Sequence, residues 1–375
     1  MLLRAYRISL LIFLLLLWSG VTTPVALATV EDSTASPLYF PLALSRDDMV
    51  SGTGVAAKAA ALIECRSGRV LFLQQGKIPL PPASTSKIIT ALTVLDLADV
   101  NEIASISPAA AAVGESSIHL RPGESLTVED LLKGALLRSG NDACFALAEQ
   151  TAGSERLFVQ WLNLKTQALG IYDANLVNTN GLPAENHLIS AVDLAIIAGY
   201  ALENEIFADI VASKYAEIGQ GISYRHLQNT NKLLWHDTNI EGVKTGTTDA
   251  AGSCLIAARN AAPAHFVSVV LDSVDRYGQS LRLLDYGTNH YLLQQLFQKG
   301  EIVAAIPRGR NGWRRLAVQS DCWLLTAAWE RAEARIKWCL RGDNAGKPGD
   351  YAGSFTVTDG QGNSLLRGEL VVAAP

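Results

Sequence analysis

Across 375 residues the chain has no block of like charge, no two histidines at metal-ligand spacing and only five cysteines. Each shortage excludes something. With 31 basic residues against 36 acidic ones, and a formal charge of −5, nothing in the balance points to a nucleic-acid partner. The six histidines, His119, His187, His226, His236, His265 and His290, are scattered, so no metal and no cofactor is expected. An odd cysteine count leaves at least one thiol unpaired and rules out a closed disulfide framework. Cys65, Cys144 and Cys254 lie in apolar stretches and read as buried free thiols, whereas Cys322 and Cys339 could bridge within the last part of the chain. Beyond the first twenty or so residues, no segment is long and apolar enough to span a bilayer.

What is present is a globular composition, 49% hydrophobic, in a length that suits two or three domains. Arg4 and Arg7 precede an apolar run from Ile8 to Val21 and then Ala26-Leu27-Ala28, the layout of an export signal with a small-residue cleavage site. Residues 1–28 therefore read as a signal peptide, with the mature chain starting near Thr29. An uncleaved leucine-rich anchor is the alternative, and either one exports the remainder. Residues 29–54 mix Ser, Thr, Asp and Pro without periodicity and read as a linker.

The first domain is expected over residues 55–298. Ala60–Cys65 and Val70–Leu73 form a predicted hairpin about Arg66-Ser67-Gly68-Arg69. Two prolines then deliver the chain to a helix expected from about Ser84, with Ile88, Ile89, Leu92 and Leu95 on its apolar side. Helices follow near 130–137, 143–150, 155–169 and 190–202, then strands at Ser253–Ala258 and His265–Leu271, and a closing helix from about Gln279 to Phe297. After Gly300 the period changes to two: Ala334, Ile336, Trp338 and Leu340 alternate with Arg335, Lys337, Cys339 and Arg341, and a hairpin follows around Asp359–Asn363. Residues 299–375 read as a small all-β domain, in which Trp323–Glu333 fits either helix or strand.

Three short motifs carry the chemistry. Ser84 and Lys87 sit at i and i+3 on one helical face, where a neutral lysine can take the serine proton and the helix N-terminus favours a developing oxyanion. Alone the pattern is weak, since about one S-x-x-K is expected by chance in a chain this long. Ser139-Gly140-Asn141 is a tight joint between two helices: glycine and asparagine there suit helix capping, or they hold a hydroxyl and an amide rigidly over a cleft. Lys244-Thr245-Gly246 places a cation and a glycine on a strand, so that a substrate backbone could lie alongside, although an edge lysine against aggregation looks the same.

In this order, and with flanks Pro82-Ala83, Arg121-Pro122-Gly123-Glu124, Asp142-Ala143, Asn178 to Leu182, Asn229 to Leu234 and Gly242 to Gly252, the set resembles the penicillin-binding protein and serine β-lactamase superfamily. More closely, it is similar to the low-molecular-mass D-alanyl-D-alanine carboxypeptidases over roughly residues 55 to 290. The resemblance implies an α/β (α+β) fold: an antiparallel sheet flanked by helices plus an all-helical lobe, followed here by the small all-β domain. It also implies roles. Ser84 would be acylated with Lys87 as its base; Ser139 would pass a proton to the leaving amine, and Asn141 would hold the substrate amide. Lys244, Thr245 and Gly246 would bind substrate, with the charge of Lys244 helping to keep Lys87 neutral. Arg276, in Asp275-Arg276-Tyr277, would receive the terminal carboxylate, and the backbone N–H groups of Ser84 and Thr247 would form the oxyanion hole.

An ordinary lysine of pKa ~10.4 is neutral only about 0.04% of the time at pH 7, so this reading demands a downward shift of about three units, or about 4 kcal/mol. Burial and a second cation can supply it. The expected activity is an exported serine carboxypeptidase that removes the terminal D-alanine from peptidoglycan stem peptides and is acylated by β-lactams. No E-x-x-L-N deacylating loop lies between Asn141 and Lys244, which argues against a β-lactamase. A D,D-endopeptidase on cross-links, or a non-catalytic wall-binding or β-lactam-sensing module, shares the motifs. The family often ends in an amphipathic helix resting on the membrane; the sequence reads as ending on a strand, so membrane attachment stays open.

Overall fold

The structure, a computed structural model, describes residues 54–308, 312–327, 334–341 and 346–374. The expected signal peptide and all but the last residue of the expected linker lie outside the described residues. The chain divides into two compact units, which meet in sequence between Leu292 and Leu293.

The larger unit starts with a hairpin of β1 (Ala59–Glu64) and β2 (Arg69–Gln74). A 3-10 turn, Ala83–Ser86, leads into α1 (Lys87–Leu97). Then come β3 (Ile103–Ser105), α2 (Pro108–Ala111), β4 (Ser125–Thr127), α3 (Val128–Leu137), α4 (Asn141–Ala152), α5 (Glu155–Ala168), α6 (Ala191–Ala201) and α7 (Glu205–Ala212). The unit closes with β5 (Tyr215–Ile218), β6 (Arg225–Gln228), β7 (Ile240–Thr248), β8 (Gly252–Ala261), β9 (Ala264–Leu271) and α8 (Arg276–His290). Helix starts follow their sequence signals: the side chains of Thr127, Ser154, Ser190, Asn204 and Asp275 each accept an N–H from the first turn of the helix they precede.

The main sheet is antiparallel, in the order β2-β1-β9-β8-β7. All six residues of β1 are buried, as suits a strand covered on both faces. A Cβ on Gly199 of α6 would meet Ile63 and Cys65, and one on Gly287 of α8 would meet the Phe266 ring. Ile63 pairs with Val267, the neighbour of Phe266, so α6 and α8 cover opposite faces of the sheet. In α1 every residue from Lys87 to Val94 is buried, because the helix runs among α3, α4, α5 and α6. An antiparallel sheet between helices, with a helical lobe beside it, is the arrangement that the family resemblance implies. β7 is left as an edge strand.

The expected helix to Phe297 stops short. α8 ends at His290, and Tyr291–Phe297 is instead β10, where buried Tyr291 and Leu293 alternate with exposed Leu292 and Gln294. That is a period of two, which a short apolar run hides until a partner strand is known. The partner is β13.

The smaller unit adds β11 (Ile302–Arg308), β12 (Gly312–Val318), β13 (Cys322–Ala327), β14 (Arg335–Leu340), β15 (Tyr351–Thr358) and β16 (Ser364–Val372). Five of these strands form an antiparallel sheet, β11-β12-β16-β15-β14, and β13 pairs with β10. The core is Leu316, Val318, Phe355, Val357 and Leu370, with the Phe297 and Phe355 rings edge to face at 5.2 Å. The undecided Trp323–Glu333 stretch is strand as far as Ala327, and the rest of it lies outside the described residues. All five cysteines are free, so Cys322 and Cys339 do not bridge. The sheet keeps them apart: Cys322 packs in the core, where its thiol donates to the Ser320 carbonyl at 3.3 Å. Cys339, on the edge strand β14, is exposed and pairs in register with Ser354, which pairs in turn with exposed Glu369, on the side away from the core.

Candidate active site

The turn that carries Ser84 is built from its own side chains. Thr85 Oγ1 donates to the Pro82 carbonyl at 2.6 Å and Ser86 Oγ to the Ala83 carbonyl at 3.1 Å, closing the 3-10 turn before α1 begins. Every residue from Pro82 to Val94 is buried except Ser84, which is half exposed. The sequence places Ser84 and Lys87 on one face, and they meet: Lys87 Nζ donates to Ser84 Oγ at 2.8 Å.

Lys87 Nζ has two further acceptors, Asn141 Oδ1 at 2.7 Å and the Asn180 carbonyl at 2.5 Å. Three acceptors satisfy the three donors of an ammonium group. The carbonyl of Asn180 can only accept, and so can the Asn141 oxygen, because Asn141 Nδ2 is committed to the Gly114 carbonyl at 2.9 Å. Ser84 is therefore the one partner that can turn from acceptor to donor. When Lys87 loses a proton, its lone pair faces the serine hydroxyl.

Two loops hold those acceptors. In the joint between α3 and α4, Ser139 adopts φ +63° and is 6% exposed, and its hydroxyl makes no hydrogen bond to a described residue. The capping reading of this joint fails: no side chain caps α4, and Asn141 turns to Lys87 and Gly114. Asp142, fully buried, accepts from Ser117 Oγ and from the N–H groups of Ile118 and Leu120, tying segment 114–120 to the joint. The second loop, Leu176–Leu182, is held by Asn163 at Leu176, by Glu155 and Thr90 at Thr179, and by Asn178 at Gly181 and Leu182. Gly181, at φ +83°, lies so close that a Cβ would stand 1.9 Å from the Ala83 carbonyl oxygen. No side chain can occupy that place.

Edge strand β7 forms the other wall. A Cβ on Gly246 would lie 2.9 Å from Ser84 N, so the strand backbone runs directly against the start of the turn. Thr245 Oγ1 pairs with Thr230 Oγ1 at 2.8 Å, and Thr230 offers its carbonyl to Tyr277 Oη at 3.2 Å. Arg276, the residue that opens α8, donates through one nitrogen to the Gly246 carbonyl at 2.9 Å and to Thr247 Oγ1 at 2.8 Å. Its guanidinium thus sits at the exposed end of the strand beside Thr247. Lys244 is buried, with Nζ on the Thr245 carbonyl at 2.9 Å. All nine residues read from the sequence lie on these three segments and the start of α8. What the sequence reading missed is their support: Asn180, Glu155 and Thr230 stood only in flanks or inside a helix.

Burial is the principal force on both lysines. It pulls Lys87 from 10.5 down to about 8, against the opposing charge of Asp142. Lys244 falls well below 10.5, through burial first and then through the charges of Lys87 and Arg276. The repulsion between the two ammonium groups adds to burial and, being mutual, favours loss of a proton from the pair. With a value of about 8, Lys87 is neutral in about 9% of molecules at pH 7, some two hundred times the ordinary fraction. A half-exposed hydroxyl beside a buried, easily deprotonated amine has the arrangement that activated nucleophiles require.

Known proteins carry the same arrangement of elements. The sequence profile of the D-alanyl-D-alanine carboxypeptidase peptidase family matches residues 47–275. The chain is 32% identical to D-alanyl-D-alanine carboxypeptidase DacF of Bacillus subtilis, over 83% of each chain. It is 30% identical to DacA of Escherichia coli over 78% of this chain and 76% of that one. Among solved structures, penicillin binding protein 5 from Haemophilus influenzae superposes with a TM-score of 0.77 at 24% identity, covering 86% of this chain and 98% of that one. The D-alanyl-D-alanine carboxypeptidase from Mycobacterium tuberculosis gives a TM-score of 0.61 at 28% identity, covering 64% and 94%. With the profile spanning more than half of its length and such relatives matched over most of theirs, the chain belongs to the D-alanyl-D-alanine carboxypeptidase family of serine peptidases.

Proposed function

We propose that this chain is a serine D-alanyl-D-alanine carboxypeptidase that acts outside the cytoplasm on peptidoglycan stem peptides. The observation that carries the proposal is the 2.8 Å contact between Ser84 Oγ and the Nζ of a fully buried Lys87 whose other two partners can only accept. In the reaction Lys87, neutral, takes the Ser84 proton as Oγ attacks the carbonyl of the penultimate D-alanine. The oxyanion forms against the N–H groups of Ser84 and Thr247, a reading supported by the close approach of Gly246 to the turn. Ser139, whose hydroxyl has no other described partner, relays the proton to the leaving amine. The C–N bond breaks, D-alanine departs, and water hydrolyses the ester on Ser84. The peptide lies along the edge of β7, bound by Thr245, and Asn141 holds its amide. The terminal carboxylate meets the Arg276 guanidinium, whose recorded hydrogen bonds use only one of its nitrogens.

A β-lactam presents a similar carbonyl and acylates the same serine. The test is labelling with fluorescent penicillin, followed by an assay of D-alanine release from a stem pentapeptide. We expect both from the native chain and neither from Ser84→Ala. Labelling without release would leave a β-lactam-binding module, and no labelling would remove the nucleophile assignment altogether.

A further inference from the structure

Charge is unevenly divided along the chain. Residues 1–292 contain 20 basic and 28 acidic residues, while residues 293–375 contain 11 basic and eight acidic. In the smaller unit the excess is concentrated on one side of one sheet. Register fixes which side chains share that side. Lys337 of β14 pairs with Thr356 of β15, which pairs with Arg367 of β16, and two places along β14 from Lys337 stands Arg335. On β12, Ala317 pairs with Val371, so Ala317, Arg315 and Trp313 point the same way as Arg367. The opposite side holds the core residues Leu316, Phe355 and Leu370. Arg315, Arg335, Lys337 and Arg367 are all exposed, and none is in an ion pair with a described residue. Glu369 is the one acidic residue that the four paired strands place on this side. Trp313, 62% exposed, stands at its rim.

We propose that this side of the C-terminal sheet docks on an anionic phospholipid surface. Four cations on three different strands, among five strands spaced about 4.8 Å apart, form a two-dimensional array. A planar layer of phosphate headgroups matches such an array, whereas a single polyanionic strand needs a groove or a line of cations. Arginine and lysine side chains reach phosphates while their stems cover apolar surface, and an exposed tryptophan beside them is the residue that settles at the headgroup level. Among the described residues no helix is long and apolar enough to cross a membrane, so the sheet would act by adsorption, reversibly.

The test uses the chain from Thr29, which keeps every described residue, in sedimentation with vesicles of phosphatidylcholine with or without phosphatidylglycerol. Each cation near such a surface is worth about fivefold in partitioning. We expect binding only to the phosphatidylglycerol vesicles, weakening as salt shortens the Debye length toward ~8 Å at physiological strength. Joint Arg315→Gln, Arg335→Gln, Lys337→Gln and Arg367→Gln substitution should lower it at least about a hundredfold, and Glu369→Gln should raise it about fivefold. All variants should keep native penicillin labelling, which reports the fold and the other unit separately. Equal binding to both vesicle types, or binding that survives the fourfold substitution, overturns the proposal. So does preferential binding of soluble polyphosphate over vesicles, which would make the surface a polymer site.

Discussion

In the larger unit Lys87, Lys244 and Asp142 are all at most 1% exposed, while in the smaller unit Arg335, Lys337 and Arg367 stand in solvent over a core of leucine, valine and phenylalanine. Both units are built on antiparallel sheets with ordinary apolar interiors, so the difference is one of use and not of architecture. Taking an ion out of water costs several kcal/mol, which a fold tolerates where the altered acidity or the directed hydrogen bonds serve a purpose. For Lys87 the drop from 10.5 to about 8 means that its charged form is disfavoured by about 3 kcal/mol. The sign follows directly. Below pH 8 the folded protein bears that penalty in full, and it is relieved between pH 8 and 10.5, where the folded state holds fewer protons than the unfolded one. The smaller unit contains no comparable expense among its described residues.

The comparison breaks most sharply at Lys87 itself. Lys87→Arg retains a cation and its hydrogen bonds but cannot give up a proton at any working pH. Loss of the general base proposed here removes about 10²- to 10⁴-fold of rate, so penicillin acylation, followed by stopped-flow fluorescence, should fall by that factor. A variant acylated at the native rate would mean that the buried amine is structural. Gly181→Ala comes next. Its Cβ would press on the Ala83 carbonyl from 1.9 Å and displace the Ser84 N–H, one of the two oxyanion donors proposed above. Loss of one such donor costs about 10²- to 10³-fold. Acylation within a few-fold of native would show that the turn yields without consequence.

A smaller effect, on pH dependence, probes the environment of the pair. The acylation rate constant should rise about tenfold per pH unit up to about pH 8 and then level off, as Lys87 becomes neutral. In Asn141→Asp a carboxylate would replace the amide oxygen 2.7 Å from Nζ. An adjacent opposite charge favours the ammonium by about 1–3 units, so the plateau should move upward by at least one pH unit. An unmoved profile would mean that a group other than Lys87 sets it.

What was legible in the sequence follows the same division. Ser84, Lys87 and Lys244 were readable because three individually weak motifs occur in one order with their flanks, the first of them at a spacing that puts its two residues on one face. Asn180 was not, since its contribution is a backbone carbonyl, which any residue type supplies; the side chains that aim it, Glu155, Asn163 and Asn178, are ordinary helix and turn residues. Asn141 could be read two ways, as a residue over the cleft or as a helix cap, and the structure does not use the cap. In the smaller unit the period of two gave β14 and the last hairpin, but Tyr291–Phe297 was read as helix because its alternation is masked by leucines at both kinds of position. The cationic side of that sheet required register, which no single strand reveals.

The least effect on chemistry should come from the deepest cut into the smaller unit. Phe355 is fully buried at its centre, against Phe297 and Trp338, and Gly368 packs against its ring with no room for a side chain. Phe355→Ala should destabilise that unit by about 3–5 kcal/mol, through lost burial and the cavity left behind. Among the described residues, the hydrogen bonds and close approaches around Ser84, Lys87, Asn141, Asn180 and Gly246 involve none beyond position 276. The acylation rate of the folded variant should therefore stay within about twofold of native, the range expected when sites without shared partners act independently, while calorimetry shows the transition of the smaller unit moved to lower temperature. If acylation fell in step with that transition, the buried lysines would owe their environment to the smaller unit as well, and the contrast between a unit that confines charge and one that displays it would have to be redrawn as a property of the whole chain.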